Sequence, residues 1–245
     1  MIAFVIAIFT LAGLIKGTIG LGLPAVSMGL LTIFMSSFQA ATLLIIPSML
    51  TNFWQLFAQG HVLQLIRRFW LLLLGIIVGS VWSVFPTLGH SEFHSEALLG
   101  GMLALYGLYG LFAKKMPDLS RHESWLSPIM GYLGGALTVA TGVVVIPVVP
   151  YLQTLHLKRD DLVQALGLAF TTSTLCLAIF LHQNPVEDIP IDYAMSVIAL
   201  VPALIGMWLG KKIRYRIPEQ KFRTVFFIGL IALGIYMMLH QFGWI

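Results

Sequence analysis

The chain has 245 residues, 58% of them apolar and 10% charged, with a net charge of +4. Ordinary soluble domains carry roughly a quarter charged residues, so this balance excludes a soluble domain and indicates a polytopic membrane protein. A single cysteine, Cys176, lies in a hydrophobic run, which leaves no disulfide framework and no thiolate metal cluster.

From the amino terminus, "MIAFVIAIFTLAGLI" has no basic n-region and no small-x-small cleavage site, so it reads as retained. The apolar stretch continues from Ile2 to Phe34, about 50 Å as one helix at 1.5 Å per residue, too long for a hydrocarbon core of roughly 30 Å. Its halves, Ile2 to Ile15 and Leu21 to Phe34, would each reach only about 21 Å. The middle, "KGTIGLG", holds a lysine and glycines, so a broken, re-entrant hairpin is expected. Hydropathy then predicts spans at Ala40 to Phe57, Phe69 to Phe85 and Ala97 to Ala113. A second odd segment, Leu126 to Leu152, divides around Thr138 to Gly142. Three more spans follow at Leu162 to Leu181, Tyr193 to Gly210 and Val225 to Leu239. Runs of about 20 residues argue for a helical bundle; strands of a membrane barrel would alternate at half that length.

Basic residues collect in short cytoplasmic loops. With both odd segments re-entrant, all but Lys16 of the 14 basic residues fall on one side, in the loops holding Arg67 and Arg68, Lys114 to Arg121, Lys158 and Arg159, and Lys211 to Arg223. If every segment crossed, the Lys158 and Lys211 loops would face outward instead. The basic balance thus reflects orientation in the bilayer and not nucleic-acid binding.

The two halves also echo each other. Gly13 and Gly17 match Gly131 and Gly135, Gln39-Ala40 and Ser48 match Gln164-Ala165 and Ser173, and Gly79 matches Gly206. Gly101, Ala104 and Leu105 match Gly229, Ala232 and Leu233. One hairpin plus three crossings per half inverts the second half relative to the first. The expected fold is therefore an all-α polytopic membrane protein of two inverted repeats, 1–113 and 128–245, joined by a cytoplasmic linker at 114–127, with both termini on the non-cytoplasmic side.

Breaks at equivalent positions of inverted repeats point to a substrate site, because unwound backbone persists in a membrane only where protein or a water-filled cavity satisfies it. Half-helix amino termini there present N–H groups to an anion. The candidate binding residues are Lys16, Gly17, Thr18, Gly20 and Gly22 in the first break and Thr141 and Gly142 in the second, with the site expected between the breaks. Lys16 is either the cation that meets an anionic substrate or a lysine snorkelling to the interface. Asn52 and Gln55 share a helix face, as do Thr171 and Thr174; Asn52, Thr172 and Ser173 are expected to line the cavity. Hydroxyls in lipid also bond back to their own helix, which is the competing account of that cluster.

All ten carboxylates lie in loops or at span ends, so no acidic proton relay is evident. His90 and His94 in "HSEFHSE" have the i, i+4 spacing of a divalent-metal pair, but they follow Pro86 and Gly89 in an outer loop, where a solvated cap is the expected state. No cofactor and no metal site is expected, and no buried acid, base or nucleophile pair supports an intramembrane enzyme. A non-transporting assembly factor and a divalent-metal carrier remain as alternatives.

At "GLIKGTIGLGLPAV", and again at "GGALTVATGVVVIPVVPYL" and "QALGLAFTTSTL", the chain resembles the sulfite exporter TauE/SafE family of transporters, also called TSUP. It departs from the commonest glycine-rich pattern at Leu23-Pro24 and Val143-Val144-Val145. The resemblance implies a multi-pass carrier of the cell inner membrane that exports a small sulfur-containing anion, such as sulfite, sulfoacetate or another organosulfonate. The partners it implies are that anion and the lipid bilayer; a homodimer is one assembly compatible with this reading.

Overall fold

The computed structural model describes residues 2–58, 60–89, 95–113, 117–186, 193–214 and 219–241. Among the described residues every regular element is helical: α1 (Ile2–Ile19), α2 (Leu23–Leu31), α3 (Ser37–Leu56), α4 (Val62–Val81), α5 (Ser95–Phe112), α6 (Glu123–Thr141), α7 (Val148–Thr154), α8 (Arg159–Gln183), α9 (Tyr193–Arg214) and α10 (Glu219–Gln241). Six of them, α1, α4, α5, α8, α9 and α10, are long and apolar enough to cross a membrane. The chain is an all-α, multi-pass membrane protein.

The first half-helix is longer than hydropathy suggested. α1 has 18 residues, about 27 Å at 1.5 Å per residue, and it continues through Lys16 and Gly17 before it ends. A lysine in the last turn is favoured there by the unbonded carbonyls at the negative end of the helix. The break therefore falls at residues 20–22, beyond Lys16. Conversely α3, expected as a span, is not among the six: Gln39, Thr51, Asn52 and Gln55 lower its hydropathy.

The helices pack as two compact units. Unit 1 gathers α1, α2, the first part of α3 up to Pro47, α5, α9 and α10; unit 2 gathers α3 from Ser48, α4, α6, α7 and α8. These are divisions of a different kind from the sequential segments 1–113 and 128–245, since each unit draws helices from both.

In unit 1 the main seam joins α1 to α9. Added methyls at Gly13 and Gly17 would overlap the carbonyls of Ala203 and Met207, and at Gly206 and Gly210 those of Thr10 and Leu14. In lipid no hydrophobic force favours helix association, so such backbone-to-backbone approach supplies it through van der Waals contact. α5 and α10 meet the same way at Gly100 and Gly234, beside an edge-to-face pair of Tyr106 and Phe227 with centroids 5.4 Å apart. α2 doubles back along α1, bringing the Phe4 and Phe34 rings to 5.1 Å. Pro47 has no N–H to give the carbonyl of Leu43. Ser196 Oγ of α9 donates to that carbonyl instead at 2.9 Å and accepts from Ile46 N at 3.3 Å.

Unit 2 has a seam built in the same manner between α4 and α6. Methyls at Gly75 and Gly79 would overlap the Pro128 and Tyr132 carbonyls, and at Gly131 and Gly135 those of Leu72 and Ile76. In these contacts Gly75 and Gly79 hold the places that Gly206 and Gly210 hold in unit 1. Gly79 thus corresponds to Gly210, one helical turn beyond the Gly206 match expected from sequence. α7 doubles back along α6: Tyr151 Oη lies 2.7 Å from Ser127 Oγ, and Leu119 N donates to Thr154 O at 3.4 Å. At the same end Arg68 grips Glu123 with Nε to Oε1 at 2.9 Å and a terminal nitrogen to Oε2 at 2.8 Å, and His61 Nδ1 lies 3.0 Å from Asp161 Oδ1. α3 and α8 exchange amide bonds, Gln55 Nε2 donating to Val163 O at 3.0 Å and Gln164 Nε2 to Leu56 O at 2.7 Å.

Candidate functional site

In unit 1 the expected residues follow one another along the end of α1 and the break. Lys16 is 4% exposed. It is thus enclosed by protein groups. Gly17 is helical and its missing side chain is what admits the Met207 carbonyl. Thr18 donates its hydroxyl to Leu14 O at 2.8 Å, with Gly210 O at 3.3 Å.

Gly20 and Gly22 turn the chain with φ of 80° and 101°, a left-handed backbone that costs other residues roughly 1–2 kcal/mol. Gly22 is the N-cap of α2 and offers no side-chain cap, and Pro24 in the first turn has no N–H. Val26 N donates to Gly22 O at 2.8 Å, closing that turn. The N–H groups of Leu23 and Ala25 are then first-turn donors with no partner inside the helix. The break thus lies between a buried lysine in the last turn of α1 and the amino terminus of α2, whose free N–H groups present a positive dipole end.

The break in unit 2 has different chemistry. α6 runs through the expected division at Thr138 to Gly142, and the unwound residues are 142–147. Gly142, with φ 79°, caps α6 and donates its N–H to Thr138 O at 2.7 Å. Thr141 Oγ1 donates to Leu137 O at 2.7 Å and accepts weakly from Val143 N at 3.4 Å. Val143, Val144 and Val145 are buried and apolar.

Also in unit 2, Asn52 is fully buried and its Nδ2 donates to Thr174 Oγ1 at 3.3 Å. Thr172 and Ser173 donate back to Leu168 O and Phe170 O, both at 3.1 Å. A hydroxyl has one hydrogen to give, so Thr18, Thr141, Thr172 and Ser173 hold theirs in their own helices and would have to release it to donate to an anion. The structure thus joins Asn52 to α8 through Thr174 and leaves the other hydroxyls bonded locally.

Sequence reasoning passed over Ser27 in α2. It is fully buried, and its Oγ has no hydrogen-bond partner among the described residues; Ser48 Oγ is in the same condition. An unmet buried hydroxyl costs about 1–3 kcal/mol, which gives such a group a reason to meet a ligand. Nothing local marked Ser27, which sits in an ordinary apolar stretch of α2 just beyond the first break. His90 and His94 lie outside the described residues.

No curated protein and no solved structure matches the chain. Both glycine-marked breaks and nearly the whole length fall within residues 5–237, which match the family model described as sulfite exporter TauE/SafE, and the chain belongs to that family.

Proposed function

We propose that this protein exports a small sulfur-containing anion, sulfite, sulfoacetate or another organosulfonate, across the cell inner membrane by alternating access. Family membership indicates a membrane transporter of sulfite or related anions. The observation that carries the finer reading is the first break, where buried Lys16 and the uncapped start of α2 lie a few residues apart in unit 1. Lys16 supplies charge, Gly20 turns the chain with its own N–H given to Lys16 O at 2.8 Å, and Gly22 with the N–H groups that follow it supplies donors at close range. Ser27 belongs with them as a buried hydroxyl. Within unit 2, Asn52, Thr141, Gly142, Thr172 and Ser173 are proposed as neutral polar contacts to substrate.

The inverted relation of the halves, with both termini on the non-cytoplasmic side, is part of the proposal. The twice-built glycine seams support it: α1 on α9 in unit 1 and α6 on α4 in unit 2 exchange the first and fourth helices of each half. Outward direction agrees with the membrane potential, which drives an anion from a negative interior by about 2.3 kcal/mol per charge per 100 mV.

Counterflow in proteoliposomes with sulfite, thiosulfate, sulfoacetate, taurine, sulfate and simple carboxylates tests this. Sulfite or a sulfonate should exchange with saturation, and Lys16→Ala and Asn52→Ala should each lower the rate while the protein stays folded and inserted. Carboxylate exchange without sulfite exchange would replace the substrate, and wild-type rates in both variants would move the site.

A further inference from the structure

One face of α10 is left partly uncovered inside unit 1. Phe222, Phe226, Gly229 and Leu233 recur at three- and four-residue spacing, so they share one side of the helix. With Leu14 of α1 and Leu30 of α2 they border a cavity of about 290 Å³ whose lining is wholly apolar. A small hydrophilic anion finds no hydrogen-bond partner there, and burying it would be costly. The space suits hydrocarbon.

Gly229 keeps that space open. A methyl added to it meets nothing within 4 Å, whereas one added to Gly234 on the same helix would overlap the Gly100 carbonyl. Helix packing therefore accounts for Gly234 and not for Gly229. From Phe222 to Leu233 the axis of α10 advances about 16 Å at 1.5 Å per residue, which is half of a hydrocarbon core of roughly 30 Å. The cavity has the length of one leaflet.

Its mouth is basic. Phe222 stands between Lys221, which is exposed, and Arg223, whose guanidinium carbon lies 5.8 Å from the Phe227 ring centroid. Both belong to the basic run that charge distribution assigns to the cytoplasmic face, where clustered Lys and Arg beside a membrane helix recognise anionic lipid. We infer that α1, α2 and α10 hold one acyl chain of an anionic phospholipid of the cytoplasmic leaflet, with its phosphate at Lys221 and Arg223. The inference is independent of which substrate is carried.

Native mass spectrometry of the detergent-purified full chain, titrated with phosphatidylglycerol or phosphatidylcholine of identical acyl chains, tests it. The unaltered protein should hold phosphatidylglycerol more tightly. Gly229→Leu, whose Cβ meets nothing within 4 Å and whose longer branch would occupy the groove, should remove that adduct at unchanged thermal stability. The double variant Lys221→Gln, Arg223→Gln should weaken phosphatidylglycerol on the order of 25-fold, about fivefold per basic residue, and leave phosphatidylcholine unchanged. Should Gly229→Leu not fold, the charge variant alone carries the headgroup test. Equal binding of the two lipids, or phosphatidylglycerol binding that survives Gly229→Leu, overturns the inference. So does a dimer that Gly229→Leu dissociates, since a second copy would then cover the groove.

Discussion

The hairpins α1–α2 and α6–α7 are built alike and equipped differently. Each has a long first helix seamed by glycines to a partner, an unwound stretch beginning at a left-handed glycine, and a short second helix that folds back. The first carries a buried lysine one turn before its break; the second carries buried valines and hydroxyls already bonded to their own helix. The same hairpin thus carries a charged residue in unit 1 and only neutral groups in unit 2.

The largest expected effect tests the likeness. Gly17→Val and Gly135→Val each drive a side chain into a facing carbonyl, and each should cost more than about 4 kcal/mol, seen as loss of monodisperse protein on size-exclusion chromatography. If only one is lost, the seams are not equivalent.

The difference is tested next. Lys16→Ala should slow anion counterflow by roughly 10- to 100-fold, the scale of a lost charged hydrogen bond, and Thr141→Ala by less than about tenfold. Equal losses would mean that charge does not distinguish the breaks. Smaller still are the turns. Gly22→Ala and Gly142→Ala should lower stability by about 1–2 kcal/mol each through left-handed strain, read as a drop in Tm. For Gly22→Ala the added methyl also meets the Phe226 ring at 3.0 Å, which should deepen its loss. At the bottom of the scale, Arg68→Gln should change Tm by less than about 1 kcal/mol equivalent, since the Glu123 pair is partly exposed.

Much of this was legible in the chain. Hydropathy located α4, α5, α8, α9 and α10, and the two overlong segments announced both hairpins. Hydropathy does not report where a backbone hydrogen-bond ladder stops, so the first break was drawn at Lys16 while α1 continues to Ile19. The Gly-x-x-x-Gly spacings of 13 and 17, 75 and 79, 131 and 135, and 206 and 210 were all visible. Which spacing faces which is a property of packing: in the seam contacts Gly79 is placed as Gly210 is, one turn from the Gly206 that sequence pairs with it. Asn52 stood out because an amide cannot satisfy itself locally, whereas Ser27 differs from its apolar neighbours by a single oxygen and carried no signal.

The seams have a consequence for how such a molecule can work. Where two helices touch through main-chain atoms, there are no side-chain rotamers to readjust, and a small slip would drive carbonyls into one another. α1 with α9, and α4 with α6, should accordingly travel as stiff paired struts during a transport cycle. Any bending would then be concentrated where the regular ladder is already interrupted, at Phe69 with its φ of −100°, at Pro47, and at the unwound residues themselves.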